Sequence, residues 1–185
     1  MNILLTSCGL ETENIEKIFK SMLKKEVSKI KAMFIPTAAN SPDAIEVLPK
    51  CLNDLLKCGI SRENIFVYDL HYEIKDDIYD NYDVIYLCGG NPDYLLRRIN
   101  EQGFNIKLKE YINKGGIVVG VSAGSMIFAN NMKENLGLLN CSLDVHCSNE
   151  DCEKAGTYPS SRQERIKLGN NQALIFDKDS IVIID

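Results

Sequence analysis

Five short apolar runs recur along the first two thirds of the chain, separated by longer amphipathic stretches. The runs are NILLTSC (2–8), KAMFIPT (31–37), NIFVYDL (64–70), DVIYLCG (83–89) and GIVVGVS (116–122). Each is short and bounded by turn-forming residues, which predicts strands covered on both faces. Between them, residues 12–29 place Ile15, Ile18, Phe19, Met22 and Leu23 on one helical stripe behind a Thr12 N-cap. Residues 42–58 do the same with Ile45, Leu48, Leu52, Leu55 and Leu56, and Gly59 is the stop. A third helical pattern, 92–112, breaks near Gly103. Strands alternating with helices need crossover connections. The expected fold is therefore α/β: a doubly wound three-layer sandwich around a mostly parallel sheet. SLDVHC (142–147) predicts one further strand, followed by a polar stretch. QALIFDKDSIVIID then reads as a C-terminal antiparallel hairpin turning around Asp177–Asp179.

A chain of 185 residues suits a single domain, expected to run over 1–185 without a linker. The formal net charge of −5 gives no help in holding a phosphate backbone, so no nucleic acid partner is expected. No run reaches the roughly 18 apolar residues needed to span a bilayer. The first residues turn acidic quickly and lack a basic leader, so no membrane association and a cytoplasmic location are expected. Seven cysteines, an odd number without CxxC spacing, argue against a disulfide framework and a zinc knuckle. Several sit inside apolar runs, where cysteine acts as a small hydrophobe.

The fifth run ends in Gly120-Val121-Ser122-Ala123-Gly124, a G-x-S-x-G pattern between a predicted strand and a helix-compatible segment. In a nucleophile elbow, small neighbours let the chain turn sharply and lift the serine Oγ above the carboxyl end of the sheet. The Ala123 amide would then point at a developing oxyanion. A glycine-rich turn that merely closes the fold is the alternative. A phosphate cradle has less support, because neither GxGxxG nor GxxxxGK[ST] is present. Only two histidines are available as a base. His146 follows the elbow on a predicted strand, whereas His71 falls in a loop after the third run. A second oxyanion donor is expected from the Gly90 amide in Cys88-Gly89-Gly90-Asn91-Pro92-Asp93, with Asn91 able to cap the next helix; a plain βα turn would read the same.

YLCGGNPDYLL, GVSAGSM and, 24 residues past the serine, DVHC followed by SSRQERI resemble in order and spacing the peptidase E (aspartyl dipeptidase) family of serine peptidases. The resemblance implies a class I glutamine amidotransferase-like fold and a serine-type peptidase, with no metal or other cofactor. A small peptide, such as a dipeptide with N-terminal aspartate, would be the substrate of a monomer or homodimer. It implies Ser122 as nucleophile, His146 as base, and Gly90 and Ala123 as oxyanion donors. Arg162 and Asn91 would contact substrate, the Arg162 guanidinium gripping an aspartyl carboxylate. A solvated helix start with Arg162, Glu164 and Arg165 is the other account of Arg162. The family's triad acid sits in an insertion that this chain lacks, which leaves Glu134, Asp144 and Glu164 as candidates. A dyad, or a non-catalytic small-molecule sensor on the same fold, fits the same shortened connection. Glutamine amidotransfer needs an elbow cysteine, and serine stands there. The 63 residues after Ser122 are too few for a true α/β-hydrolase order.

Overall fold

The computed structural model describes residues 2–72, 81–162, 164–177 and 179–185. Its elements follow in chain order as β1 (Ile3–Thr6), α1 (Glu13–Met22), β2 (Ala32–Ile35), α2 (Pro42–Lys57), β3 (Ile65–Val67), β4 (Val84–Leu87), α3 (Pro92–Glu101) and α4 (Phe104–Asn113). They continue with β5 (Ile117–Val121), α5 (Ala123–Met126), β6 (Ser142–Cys147), β7 (Gly156–Pro159), β8 (Arg165–Gly169), β9 (Ala173–Phe176) and β10 (Ser180–Ile184). Eight strands form one sheet in the order β3-β2-β4-β5-β1-β9-β10-β7. The first five are parallel. The last three join antiparallel, β9 and β10 being the expected hairpin. Strands β6 and β8 pair in parallel as a separate two-stranded sheet.

Period-2 alternation divides the core into two layers. Leu4, Phe34, Tyr86 and Val119 face α1 and α2, where Ile15, Phe19 and Leu55 cover them. Leu5, Ile35, Leu87 and Val118 face the opposite way, onto Leu95, Ile99, Phe104 and Leu108 of α3 and α4. This is the three-layer α/β sandwich expected from the alternating pattern.

Boundaries differ where local chemistry overrides periodicity. The first helix stops at Met22 instead of running to residue 29, and Val27–Lys29 turn as a separate 3-10 segment. The break near Gly103 falls where expected: in the left-handed region, that glycine splits the 92–112 pattern into α3 and α4. Ile45, placed on the buried stripe of α2 by spacing, is 53% exposed; of that stripe Leu55 is buried and Leu48, Leu52 and Leu56 are partly so, joined by Cys51 and Asp54. The polar stretch after β6 hides β7 and the start of β8.

One buried carboxyl ties α2 to the end of β1. The Leu10 N–H and the Tyr86 hydroxyl both donate to Asp54 Oδ2, at 3.0 and 2.8 Å. Burial pushes this carboxyl above its ordinary value of 3.8 despite those bonds. A carboxyl raised in the folded state takes up a proton on folding between the two values. Its contribution to stability is full below the ordinary value and is lost as pH rises through the folded one. Asp54→Asn removes this titration. In urea unfolding from pH 7 down to pH 4, wild type should gain stability relative to the variant as pH falls. A constant difference contradicts the sign.

Candidate active site

Three parallel strands deliver the site to one edge of the sheet. β5 ends at Ser122, the turn after β4 holds Gly89 and Gly90, and β1 runs into Ser7 and Cys8. Ser122 has φ 50 and ψ −110, a conformation that side chains rarely adopt. The flanking glycines permit it through close approach. A Cβ on Gly120 would sit 2.5 Å from the Gly124 carbonyl oxygen, and one on Gly124 would sit 2.3 Å from that of Leu87. The Ser122 N–H donates to the Thr6 carbonyl, as does the Ser125 hydroxyl one turn on, which pins the elbow to β1.

His146 comes from the other sheet. A register shift in the β6–β8 ladder between Asp144 and Cys147 frees residues 145 and 146 from pairing, and His146 turns to φ 59. Its N–H donates to the fully buried Ser7 Oγ at 2.8 Å. Its Nε2 then lies 2.9 Å from Ser122 Oγ. Among the described residues, Ser122 and His146 are the only non-glycine residues with positive φ. Strain of this kind clusters at functional sites.

The imidazole's other nitrogen meets a neutral amide: Nδ1 is 3.0 Å from Asn170 Oδ1. Cys8 Sγ also approaches Nδ1, at 3.4 Å. Cys8 is half-exposed beside the imidazole, in contrast to the core role expected of the cysteines as a set. None of the three carboxylates expected behind the histidine is hydrogen-bonded to it among the described residues. Asp144 would share a face with His146 on a regular strand, but the bulge breaks that register and Asp144 pairs with Arg165 instead. Glu164 is exposed at the far end of the β6–β8 ladder, where its carbonyl accepts from the Ser142 N–H. Glu134 is exposed in the loop before β6, and its carbonyl accepts from Asn100. Asn170 carried no signal of its own, being one polar residue in the turn GNNQ. Recognising β8 and β9 on either side of that turn would have been the route to it.

Gly90 has φ +139, and a Cβ there would lie 2.1 Å from the Ala38 carbonyl oxygen, so only glycine fits. Among the described residues, neither the Gly90 nor the Ala123 amide donates to another protein group. Helix α5 has only four residues, so any anion stabilisation there comes from the amide and not from a helix dipole. Asn91 Oδ1 caps α3 by accepting from the Tyr94 N–H at 2.9 Å, which commits that oxygen to the fold and not to a ligand. Arg162 closes a 3-10 turn, Ser160–Arg162, and its side chain lies outside the described residues. His71 sits in the loop after β3, between Asp69 and the Tyr94 hydroxyl and away from Ser122. Among the described residues, no group of three or more His, Cys, Asp or Glu side chains is placed to hold a metal ion, and no helix is long and apolar enough to cross a membrane.

With Nε2 accepting from the serine hydroxyl, Nδ1 carries the ring proton and donates to Asn170. Nitrogen-15 NMR of the imidazole at alkaline pH should therefore show a protonated Nδ1 and a bare Nε2. Asn170→Ala should shift the balance toward the other tautomer. An unchanged spectrum would remove Asn170 from the orienting role.

The family model of peptidase family S51 matches residues 3–138, a span that includes Gly90 and Ser122 and stops short of His146. The chain is 30% identical over 100 residues to an uncharacterised peptidase of Pasteurella multocida (strain Pm70). That alignment covers 54% of this chain and 48% of the relative, so the chain matches about half the length of that relative. A 1.5 Å crystal structure of a candidate peptidase E from Listeria monocytogenes EGD-e superposes with a TM-score of 0.76 at 19% identity, covering 99% of this chain and 97% of that one. A peptidase from an acI-B1 Actinobacterium gives 0.64 at 17% identity, covering 98% and 86%. At these identities the two structures speak for the fold. The family model covers most of the chain, and on it the chain belongs to peptidase family S51, the peptidase E family that its motifs resemble.

Proposed function

We propose that the protein is a serine-type peptidase that cleaves short peptides through an acyl-enzyme on Ser122. The observation that carries this is the 2.9 Å contact between Ser122 Oγ and His146 Nε2 on a strained elbow. His146 accepts the hydroxyl proton as Oγ attacks the scissile carbonyl. The carbonyl oxygen becomes an oxyanion facing the Gly90 and Ala123 amides. Collapse of the tetrahedral intermediate breaks the C–N bond, and the imidazolium returns its proton to the departing amine. Water, activated by the same imidazole, then releases the acyl group. A non-catalytic binding module would be favoured by an imidazole out of reach of Ser122; the observed contact supports hydrolysis instead. The finer expectation, an N-terminal aspartyl residue, hangs on Arg162 and is decided by comparing substrates.

An active-site-directed fluorophosphonate should label wild type and leave Ser122→Ala unlabelled, while His146→Ala should lower kcat by about a thousandfold or more. Equal labelling of wild type and Ser122→Ala overturns the assignment. Asn170 supplies a dipole where other serine peptidases place a carboxylate. Asn170→Asp adds a charge that stabilises the imidazolium, so the base becomes protonated at higher pH. The acidic limb of the kcat/KM profile should accordingly move upward in pH; a limb that stays in place contradicts this account of Asn170.

A further inference from the structure

Toward its N-terminus, helix α2 continues its buried face as an apolar stripe that the core covers only in part. Ala44, Val47, Leu48 and Cys51 recur at i, i+3, i+4 and i+7, and so share one helix face. That face lines a cavity of about 190 Å³ together with Ser122, His146 and Gly90. The volume is below the roughly 300 Å³ at which pockets for drug-sized ligands begin, and suits a single side chain. Protein does not finish covering the stripe: Val47 remains 49% exposed.

One cation, Lys50, also lines this cavity, but its ammonium is 2.6 Å from Glu11. Among the described residues, no other cationic side chain lines the cavity. An acidic group entering it would have to compete with Glu11 for Lys50 or lie unpaired against Val47 and Leu48, stripped of its hydration. An apolar side chain would instead remove the exposed stripe from water.

Resting on the serine-peptidase reading above, we infer that this cavity is a specificity subsite for a medium-sized apolar side chain, such as leucine or methionine, on a residue flanking the scissile bond. Val47 and Leu48 are its specificity-determining residues. An aspartyl side chain is disfavoured there because Lys50, the cation among the described lining residues, is already paired with Glu11.

The test uses the full-length protein and two dipeptide series, one varying the acyl-side residue and one the leaving-side residue among Leu, Met, Ala and Asp. At one of the two positions, kcat/KM for Leu or Met should exceed that for Asp by roughly tenfold or more. Val47→Lys, at a site exposed enough to accept the ammonium, should lower the Leu:Asp ratio by about tenfold. Ala44→Phe, which fills the cavity, should lower the Leu:Ala ratio. An Asp preference at both positions overturns the inference, and so do ratios indifferent to both substitutions. An Asp preference lost in Lys50→Met would assign the cavity to acidic side chains instead. Those outcomes leave Ser122 as nucleophile. Wild type that cleaves no peptide and labels no better than Ser122→Ala would sink the peptidase reading and this subsite with it.

Discussion

The last residues of β1 hold both halves of the site. The Thr6 carbonyl accepts the Ser122 N–H and the Ser125 hydroxyl, and the Ser7 hydroxyl accepts the His146 N–H. Thr6 also donates its own hydroxyl to the Gly120 carbonyl and accepts the Gly9 N–H, closing the turn that leaves the strand. Because β1 is paired on both edges, parallel to β5 and antiparallel to β9, these groups have little freedom. The serine and the imidazole come from different sheets. Their 2.9 Å separation is set by a buried strand and not by two loops finding each other.

That arrangement stores strain. Ser122 and His146 occupy left-handed backbone conformations, each costing about 1–3 kcal/mol. Close packing at the elbow sustains the first. With a Gly120 Cβ excluded by the Gly124 carbonyl and a Gly124 Cβ by that of Leu87, the chain cannot relax without losing the contact between β5 and its neighbours. The bulge in β6 sustains the second, since unpaired residues can turn without breaking a ladder. The two apolar layers on either face of the sheet offset both costs.

Charges around the site are consistently matched. Asp144 pairs with Arg165, Glu11 with Lys50, and Asp54 receives the Leu10 amide and the Tyr86 hydroxyl. The imidazole itself faces a neutral amide. A carboxylate would add Coulombic stabilisation to an imidazolium, whereas Asn170 contributes orientation and a dipole. Among the described residues lining the adjoining cavity, the lysine is likewise paired, Lys50 with Glu11, and the helix α2 wall is apolar.

The sequence alone was enough to determine the layered α/β architecture, the sharp turn at Ser122 and the Gly89-Gly90 pair that closes the fourth run. All of these are written in contiguous residues: buried strands are short apolar runs, and an elbow needs small neighbours two positions either side of the serine. Helix ends were less legible, because the stop of α1 at Met22 and the exposed Ile45 answer to packing as well as to period. Strands β7 and β8 escaped notice for a related reason. An edge strand with half-exposed residues such as GTYP carries little apolar alternation. The partner of His146 was decided only by the tertiary structure. Asp144 lost its place to a bulge that no periodicity announces, and Asn170 gained it because the turn after β8 is carried to the end of β1 by β9. Contacts between residues far apart in the chain depend on strand register, and register is fixed by three-dimensional packing, not by local composition.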